Sequence, residues 1–226
     1  MKVIYLIGWM LTTLGISTLT LILAKRYGLG IAIGTFAGMV VIANIIAVKP
    51  VMFGPFMVPA AVLIYAATFL MTDVITEVWS KKEAQEAIIG GFVANILLVI
   101  GVYLTIKWPG ASFWKNQKAL VSILGLTPRI VLASMIAYLI SQTHDVLVFH
   151  FWKTKTKGKY LWLRNNASTA VSQLIDTVIF ITIAFYGILP VLPLIIGQYI
   201  VKLIIALCDT PFCYIGARVV AGTKEG

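Results

Sequence analysis

The chain of 226 residues is 60% hydrophobic and 12% charged, with a formal net charge of +10 and a mean hydropathy of +0.98. That balance excludes an ordinary soluble globular domain, and a chain spent mostly inside lipid has no room for a folded soluble domain beside it. Apolar runs near the roughly 20 residues that cross about 30 Å of hydrocarbon recur along the whole length, while the period-2 alternation of a lipid-facing barrel is absent, so the spans read as helices.

In chain order, the first span runs from Val3 to Leu23. Its apolar stretch is too long for a secretory signal and no small-x-small cleavage site follows, so it is expected to stay as a helix. The second, Gly30 to Val48, ends around Asn44 and Lys49. The third, Phe56 to Thr72, leads into Asp73 and Glu77, one helical turn apart. The fourth covers Ala87 to Ile106. The fifth, Ile130 to Phe151, carries Ser141-Gln142-x-x-Asp145, and the sixth, Thr169 to Ile188, repeats the pattern as Ser172-Gln173-x-x-Asp176. The last, Val191 to Val220, holds Lys202 and Asp209; it is overlong and contains Pro211, so it should tilt, kink or leave the bilayer early.

Several features between and within these spans have bland readings. Cys208 and Cys213 share one helix at a spacing that suits neither a disulfide nor zinc, and read as packing residues. His144 and His150 do not share a helix face and lack a third ligand, so no metal and no other cofactor is expected; His144 could still tune Asp145. The tryptophans fall mostly near span ends, where an interfacial belt accounts for them. Tyr65, Phe69, Tyr138, Phe180 and Tyr199 lie deeper and read as helix packing. Asn166-Ala167-Ser168 matches a glycosylation acceptor but abuts the membrane on the side assigned below to the cytoplasm, and carries no weight.

Orientation follows from the basic residues. With seven spans, one side receives Lys25, Arg26, Lys81, Lys82, the cluster from Lys153 to Arg164, Arg218 and Lys224; the other receives Lys2, Lys49, Lys107, Lys115, Lys118 and Arg129. The richer side is the cytoplasm, which leaves the N-terminus external. The same distribution removes nucleic acid as a partner: the basic residues sit in loops beside anionic lipid, with no stacking platform among them.

Asp73, Asp145, Asp176 and Asp209 lie in or at the ends of four different spans, although an aspartate at a span centre costs about 2.5–3.5 kcal/mol on insertion scales. Counted from the cytoplasmic flanks at about 1.5 Å per residue, Asp73, Asp145 and Asp209 come out roughly 12–14 Å deep. Asp176, on a helix starting near Thr169, comes out about 10 Å deep, and Lys202 about 24 Å from Arg218. The expectation is a carboxylate layer on the cytoplasmic side, with a basic and amide-bearing layer of Asn44, Lys49 and Lys202 above it. The structural alternative for any one carboxylate is a helix cap, a pair with Lys202 or a hydrogen bond to serine or glutamine between helices, and Glu77, close to Lys81, reads by itself as an interfacial ion pair. The two Ser-Gln-x-x-Asp segments, on consecutive antiparallel spans, should line one cavity, a construction that recurs in secondary transporters.

Five stretches, "ANIIAVKPVMFG", "TFLMTDVITEVWSKKEA", "AYLISQTHDVLVFHFW", "LWLRNNASTAVSQLIDTVIFITIAFYG" and "YIVKLIIALCDTPFCY", together resemble the queuosine precursor transporter family, also called the vitamin uptake transporter family. The resemblance covers Ala43 to about Val220, and Asp73-x-x-x-Glu77 before a basic pair is its most specific part. It departs at Trp79-Ser80, where the family commonly has Tyr-Gly. It implies an all-α polytopic membrane protein of about seven transmembrane helices: an additional helix over residues 1–28, a six-helix core over 29–220 and a cytoplasmic tail over 221–226. The implied activity is uptake of a 7-deazaguanine precursor of queuosine or archaeosine, or a similar small planar base. The matching positions that would line the site are Asn44, Lys49, Asp73, Glu77, Gln142, Asp145, Asn165, Gln173, Asp176, Lys202 and Asp209. Chemistry agrees, because a ring N–H beside an exocyclic amine forms a donor pair that one carboxylate can accept.

Two other functions remain to be distinguished. A binding subunit of an ATP-driven importer would need a separate energising module and a small-residue docking motif, for which "GGFVA" and "GARVVAG" are the candidates. An intramembrane enzyme fits least well, since neither His-Glu-x-x-His nor Gly-x-Ser-x-Gly occurs.

Overall fold

The structure, a computed structural model, describes residues 2–156 and 161–221. In chain order it contains α1 (Lys2–Tyr27), α2 (Gly30–Ile46), the strands β1 (Pro50–Phe53) and β2 (Phe56–Pro59), α3 (Val62–Val78), α4 (Lys81–Lys107), α5 (Gln117–Leu124), α6 (Thr127–Lys155), α7 (Leu161–Phe185) and α8 (Val191–Ala221). The protein is an all-α membrane protein. Segments of α1, α4, α6 and α8 are long and apolar enough to cross a bilayer, while α2 and the Ala170–Phe185 part of α7 are shorter apolar helices. The outward faces carry leucine, isoleucine and tyrosine, as on α4 at Leu97, Ile100, Tyr103 and Leu104, the surface that a hydrocarbon solvent requires.

α3 is the axis of the bundle. From Val62 to Thr76 it is buried at nearly every position, Ile64 excepted, and it packs against α1, α2, α4 and α8. A helix that is apolar all round is buried all round, and here protein, rather than lipid, does the covering. α6 and α7 form the most extensively packed pair, and α2 lies on α4. The close approach of α2 and α4 depends on "GG": a Cβ on Gly91 would come within 3.0 Å of the Phe36 ring, and one on Gly90 within 3.2 Å of Ile33.

The third span was expected to start at Phe56. Instead residues 50–59 form an antiparallel hairpin, with Pro50 opposite Pro59 and Phe53 opposite Phe56. Proline at 50, 55 and 59 removes donors that a helix would need. Gly54, with φ +60°, occupies the first of two turn residues, the position that a type II′ hairpin turn reserves for glycine. The hairpin lies on α8 at Gly197, whose missing Cβ would fall 2.4 Å from the Met57 carbonyl oxygen. Val58 is completely buried, in a small cluster with Val62, Leu63, Ala66, Val201 and Ile205. Non-helical backbone within a membrane protein is tolerated where it is paired and enclosed in this way.

Other boundaries also shift. α4 begins at Lys81, six residues before the expected Ala87, because Ser80 caps it: the Ser80 hydroxyl accepts from the Lys82 N–H at 3.1 Å and contacts Glu83. α7 begins at Leu161 instead of Thr169. α5, which was not expected, is tied to the end of α4 by the Gln117 side chain, whose Nε2 donates to the Ile106 carbonyl at 2.9 Å. α8 continues through Pro211 to Ala221. The C-terminal end of α7 is held by Arg129 of α6, whose guanidinium donates to the Ile183 and Tyr186 carbonyls at 2.7 Å each. Such carbonyls have no partner within their own helix.

Candidate functional site

Asp176 on α7 and Lys202 on α8 are both wholly buried, and their charges meet: Lys202 Nζ lies 2.5 Å from Asp176 Oδ2. Tyr65 of α3 donates its hydroxyl to Asp176 Oδ1 at 3.1 Å, and Ser141 of α6 approaches the same oxygen at 3.4 Å. The ammonium also sits over two rings, 5.1 Å from the Tyr65 centroid and 6.0 Å from that of Phe69. Removing each ion from water costs several kcal/mol, and a buried pair is tolerable only when its remaining donors and acceptors are satisfied. Here α3, α6, α7 and α8 each contribute a group to that end.

This pairing corrects the two-layer picture. Asp176 was counted from Thr169 and so placed too near the cytoplasmic surface; from the true start at Leu161 it is about 22 Å along its helix, the depth of Lys202 at about 24 Å from Arg218. The carboxylate and basic layers therefore touch at the middle of the bundle.

Beside the pair lies a small, partly open cavity of about 20 Å³. Its polar lining comes from Asn44, Tyr65, Ser134, Gln198 and Lys202, and its apolar lining from Ala43, Ala47, Pro59, Ala61, Val62 and Phe180. Asn44 is positioned by Asn95 of α4: its Nδ2 donates to Asn95 Oδ1 at 2.7 Å, and Asn95 in turn donates to the Gly91 carbonyl at 2.9 Å. The rings of Tyr65 and Phe180 are near-parallel, with an interplanar angle of 18° and centroids 6.5 Å apart.

The remaining sequence candidates fall in different surroundings. The Ser-Gln-x-x-Asp segments face one another across α6 and α7, since Ser141 of the first reaches Asp176 of the second and His144 Nδ1 lies 2.8 Å from Ser172 Oγ, but among the described residues neither segment lines the cavity, although both had been expected to. Gln173 is buried with its Oε1 lacking a hydrogen-bond partner among the described residues. Asp73, Asp145 and Asp209 are buried on α3, α6 and α8, outside the lining of the cavity. Glu77 forms the ion pair its position suggested, with Lys153 at 3.2 Å in place of Lys81, bridging the ends of α3 and α6. Lys49 is exposed at the base of the hairpin, where its carbonyl accepts from the Ala60 N–H at 2.8 Å. The side chains of Gln142 and Asn165 lie outside the described residues.

Sequence reasoning missed Ser134 and Gln198 and did not single out Tyr65 and Phe180 among the deep aromatic residues. Gln198 had a signal, standing four residues before Lys202 and hence on the same helix face. Ser134 had none. Cys208 and Cys213 are free thiols. Among the described residues no group of three or more His, Cys, Asp or Glu side chains is arranged to hold a metal.

The cavity lining presents ring faces, amides, a hydroxyl and one ammonium. Comparisons with known proteins bear on the family. Residues 59–216 match a family described as "Putative vitamin uptake transporter". A Bacillus subtilis protein named "Probable queuosine precursor transporter" is 35% identical over 167 residues, 72% of this chain and 73% of that protein. A Haemophilus influenzae protein of the same name is 27% identical over 124 residues, 55% of this chain and 50% of that one. No solved structure matches the chain.

Proposed function

The chain belongs to the vitamin uptake transporter family, and from that membership we propose that it carries a queuosine precursor, a 7-deazaguanine or a similar small planar base, into the cell. It is a multi-pass membrane transporter and not an enzyme. The observation that supports the finer reading is the buried Asp176–Lys202 pair with a small, partly open cavity beside it, lined from α2, the hairpin, α3, α6, α7 and α8. Polar groups buried inside a membrane protein are costly and mark substrate or ion pathways.

In this reading Asn44 and Lys202 contact the base directly, and Asp176 holds Lys202 in place. Asp73, Asp145 and Asp209 lie on the cytoplasmic side of the Asp176–Lys202 pair and, with Gln173, line the route inward, with Glu77 at its mouth and Lys49 at the outer rim. Gln142 and Asn165 are assigned to the site on the family resemblance alone. The N-terminus is external and the C-terminus cytoplasmic, as the basic loops require. Uptake is secondary or facilitated, a reading supported by the two glycines of "GGFVA", which face Ile33 and Phe36 of α2 and are not free as a docking surface; most side chains of "GARVVAG" lie outside the described residues.

The test is uptake of labelled 7-deazaguanines by the purified chain alone in liposomes. Saturable uptake without ATP is expected. Uptake by cells but none by the purified chain would favour the ATP-driven importer, and no uptake of any deazapurine in either setting would reject the substrate class.

A further inference from the structure

Between the end of α4 at Lys107 and the start of α6 at Thr127, the chain turns aromatic and basic side chains outward. Trp108 is 74% exposed, Phe113 81% and Trp114 44%. Lys107, Lys115 and Lys118 are exposed among them, and no acidic residue occurs from Ala87 to His144, so the stretch carries positive charge that its own sequence does not offset. At about 1.5 Å per residue, the 27 residues of α4 reach about 40 Å, from one headgroup layer to the other. Trp108, at the C-terminal end of α4, therefore lies at headgroup level on the face opposite to Lys81.

These side chains are held in place. Trp114 lies against Gly110, where a Cβ would fall 2.8 Å from its ring. Its Nε1 donates to Gln117 Oε1 at 3.1 Å, and Gln117, through its bond to the Ile106 carbonyl, ties the segment to α4. Thr105, Trp108, Phe113, Trp114, Gln117 and Leu120 border an open groove of about 440 Å³, and each of the three lysines adjoins one of these residues in the chain. The short helix α5 continues the pattern. It is too short to span, none of its residues is buried, Leu120, Ile123 and Leu124 share one face, and Lys118 and Ser122 share another. A helix so divided lies in the plane of the interface, its apolar face on acyl chains and its lysine among headgroups.

We propose that the groove between the end of α4 and α5 is a binding site for an anionic phospholipid, with an acyl chain along the aromatic residues and the phosphate among Lys107, Lys115 and Lys118. Aromatic residues at this level favour the boundary between chain and headgroup, and lysines beside them favour a headgroup of net negative charge. A zwitterionic headgroup carries its own ammonium, which offsets the attraction, so the site selects by charge. The bound lipid would hold the connection from α4 to α6 at the membrane surface. This inference is independent of the transported substrate.

The experiment is tryptophan quenching in the purified full chain, held in nanodiscs of equimolar phosphatidylglycerol and phosphatidylcholine. The lipid mixture is the same in every sample, and bromine is placed high on the acyl chain of one lipid or of the other. The signal of Trp108 and Trp114 is the difference between the wild type and Trp108→Phe/Trp114→Phe. That signal should be quenched about twofold or more strongly when the bromine is on phosphatidylglycerol, and high salt should reduce the difference. Lys107→Gln/Lys115→Gln/Lys118→Gln should make the two lipids equal. All five substituted positions are exposed, so these variants should fold as the wild type does. Equal quenching by both lipids in the wild type would overturn the charge selectivity, and a preference that survives the triple lysine variant would overturn the assignment to these lysines. No quenching by either lipid would overturn the site altogether, leaving the groove to a protein surface such as a second copy of this chain.

Discussion

Asp176 and Lys202 stabilise each other chiefly by preventing something worse. Separating a buried pair leaves an uncompensated ion and costs about 3–5 kcal/mol, whereas replacing both members by apolar residues of similar volume is often neutral or stabilising. Asp176→Asn or Lys202→Met alone should therefore lower thermal stability in detergent and abolish uptake. Asp176→Leu with Lys202→Met should recover the stability while uptake stays absent. A double variant as unstable as the singles would mean that the ions hold more of the bundle than each other, and preserved uptake would mean that they lie outside the pathway. Both residues were legible in the sequence as charges that a membrane span does not carry idly. Their partnership was legible only as the structural alternative for the carboxylates as a group, and Asp176 was not singled out, because depth was counted from Thr169 and a helix that starts at Leu161 moves it inward by eight residues. Tyr65 and Phe180 were equally hard to assign, since an aromatic residue at helical spacing looks the same whether it faces a neighbour or a cavity.

Among the elements, α7 shows how one helix can serve two media. Its buried stripe reads Ser172, Gln173, Asp176, Thr177, then Phe180, Ile181, Ala184 and Phe185, so one face passes from polar to apolar near the level of Lys202. The hairpin closes the apolar end against α8, and its seat depends on a single missing methyl group. Gly197→Ala would place a carbon on the Met57 carbonyl, backbone that cannot rotate away, and overpacking of this kind costs about 1–3 kcal/mol. The expected result is reduced stability and reduced uptake. Gly38→Ala on α2, where a Cβ meets nothing within 4 Å, is the control and should be neutral or stabilising. Equal behaviour of the two variants would show that the hairpin is not held at Gly197. The hairpin was missed because residues 56–59 are apolar enough to extend the hydropathy run of α3, which left 50–55 as a connection; the evidence against a helix lay in Pro50, Gly54-Pro55 and Pro59.

At the scale of the whole molecule, the order and approximate limits of the long helices were legible because lipid imposes both length and composition. The interior position of α3 was not, since hydropathy cannot distinguish lipid from a protein interior as the apolar surroundings. Orientation is the corresponding prediction: membrane-impermeant labelling of single cysteines, in a background lacking Cys208 and Cys213, should modify residue 116 from outside and residue 156 only after permeabilisation. The reverse pattern would invert the assignment of the two faces. One consequence of the central pair is electrical. A lysine and an aspartate that compensate each other leave the middle of the bundle without net charge, and an uncharged cargo moving past them carries no current. The membrane potential, which does about 2.3 kcal/mol of work per elementary charge per 100 mV, then neither drives nor opposes the cycle. For such a cargo, moving by itself, the direction of net flux follows its own concentration on the two sides, and intracellular consumption is what keeps it flowing inward.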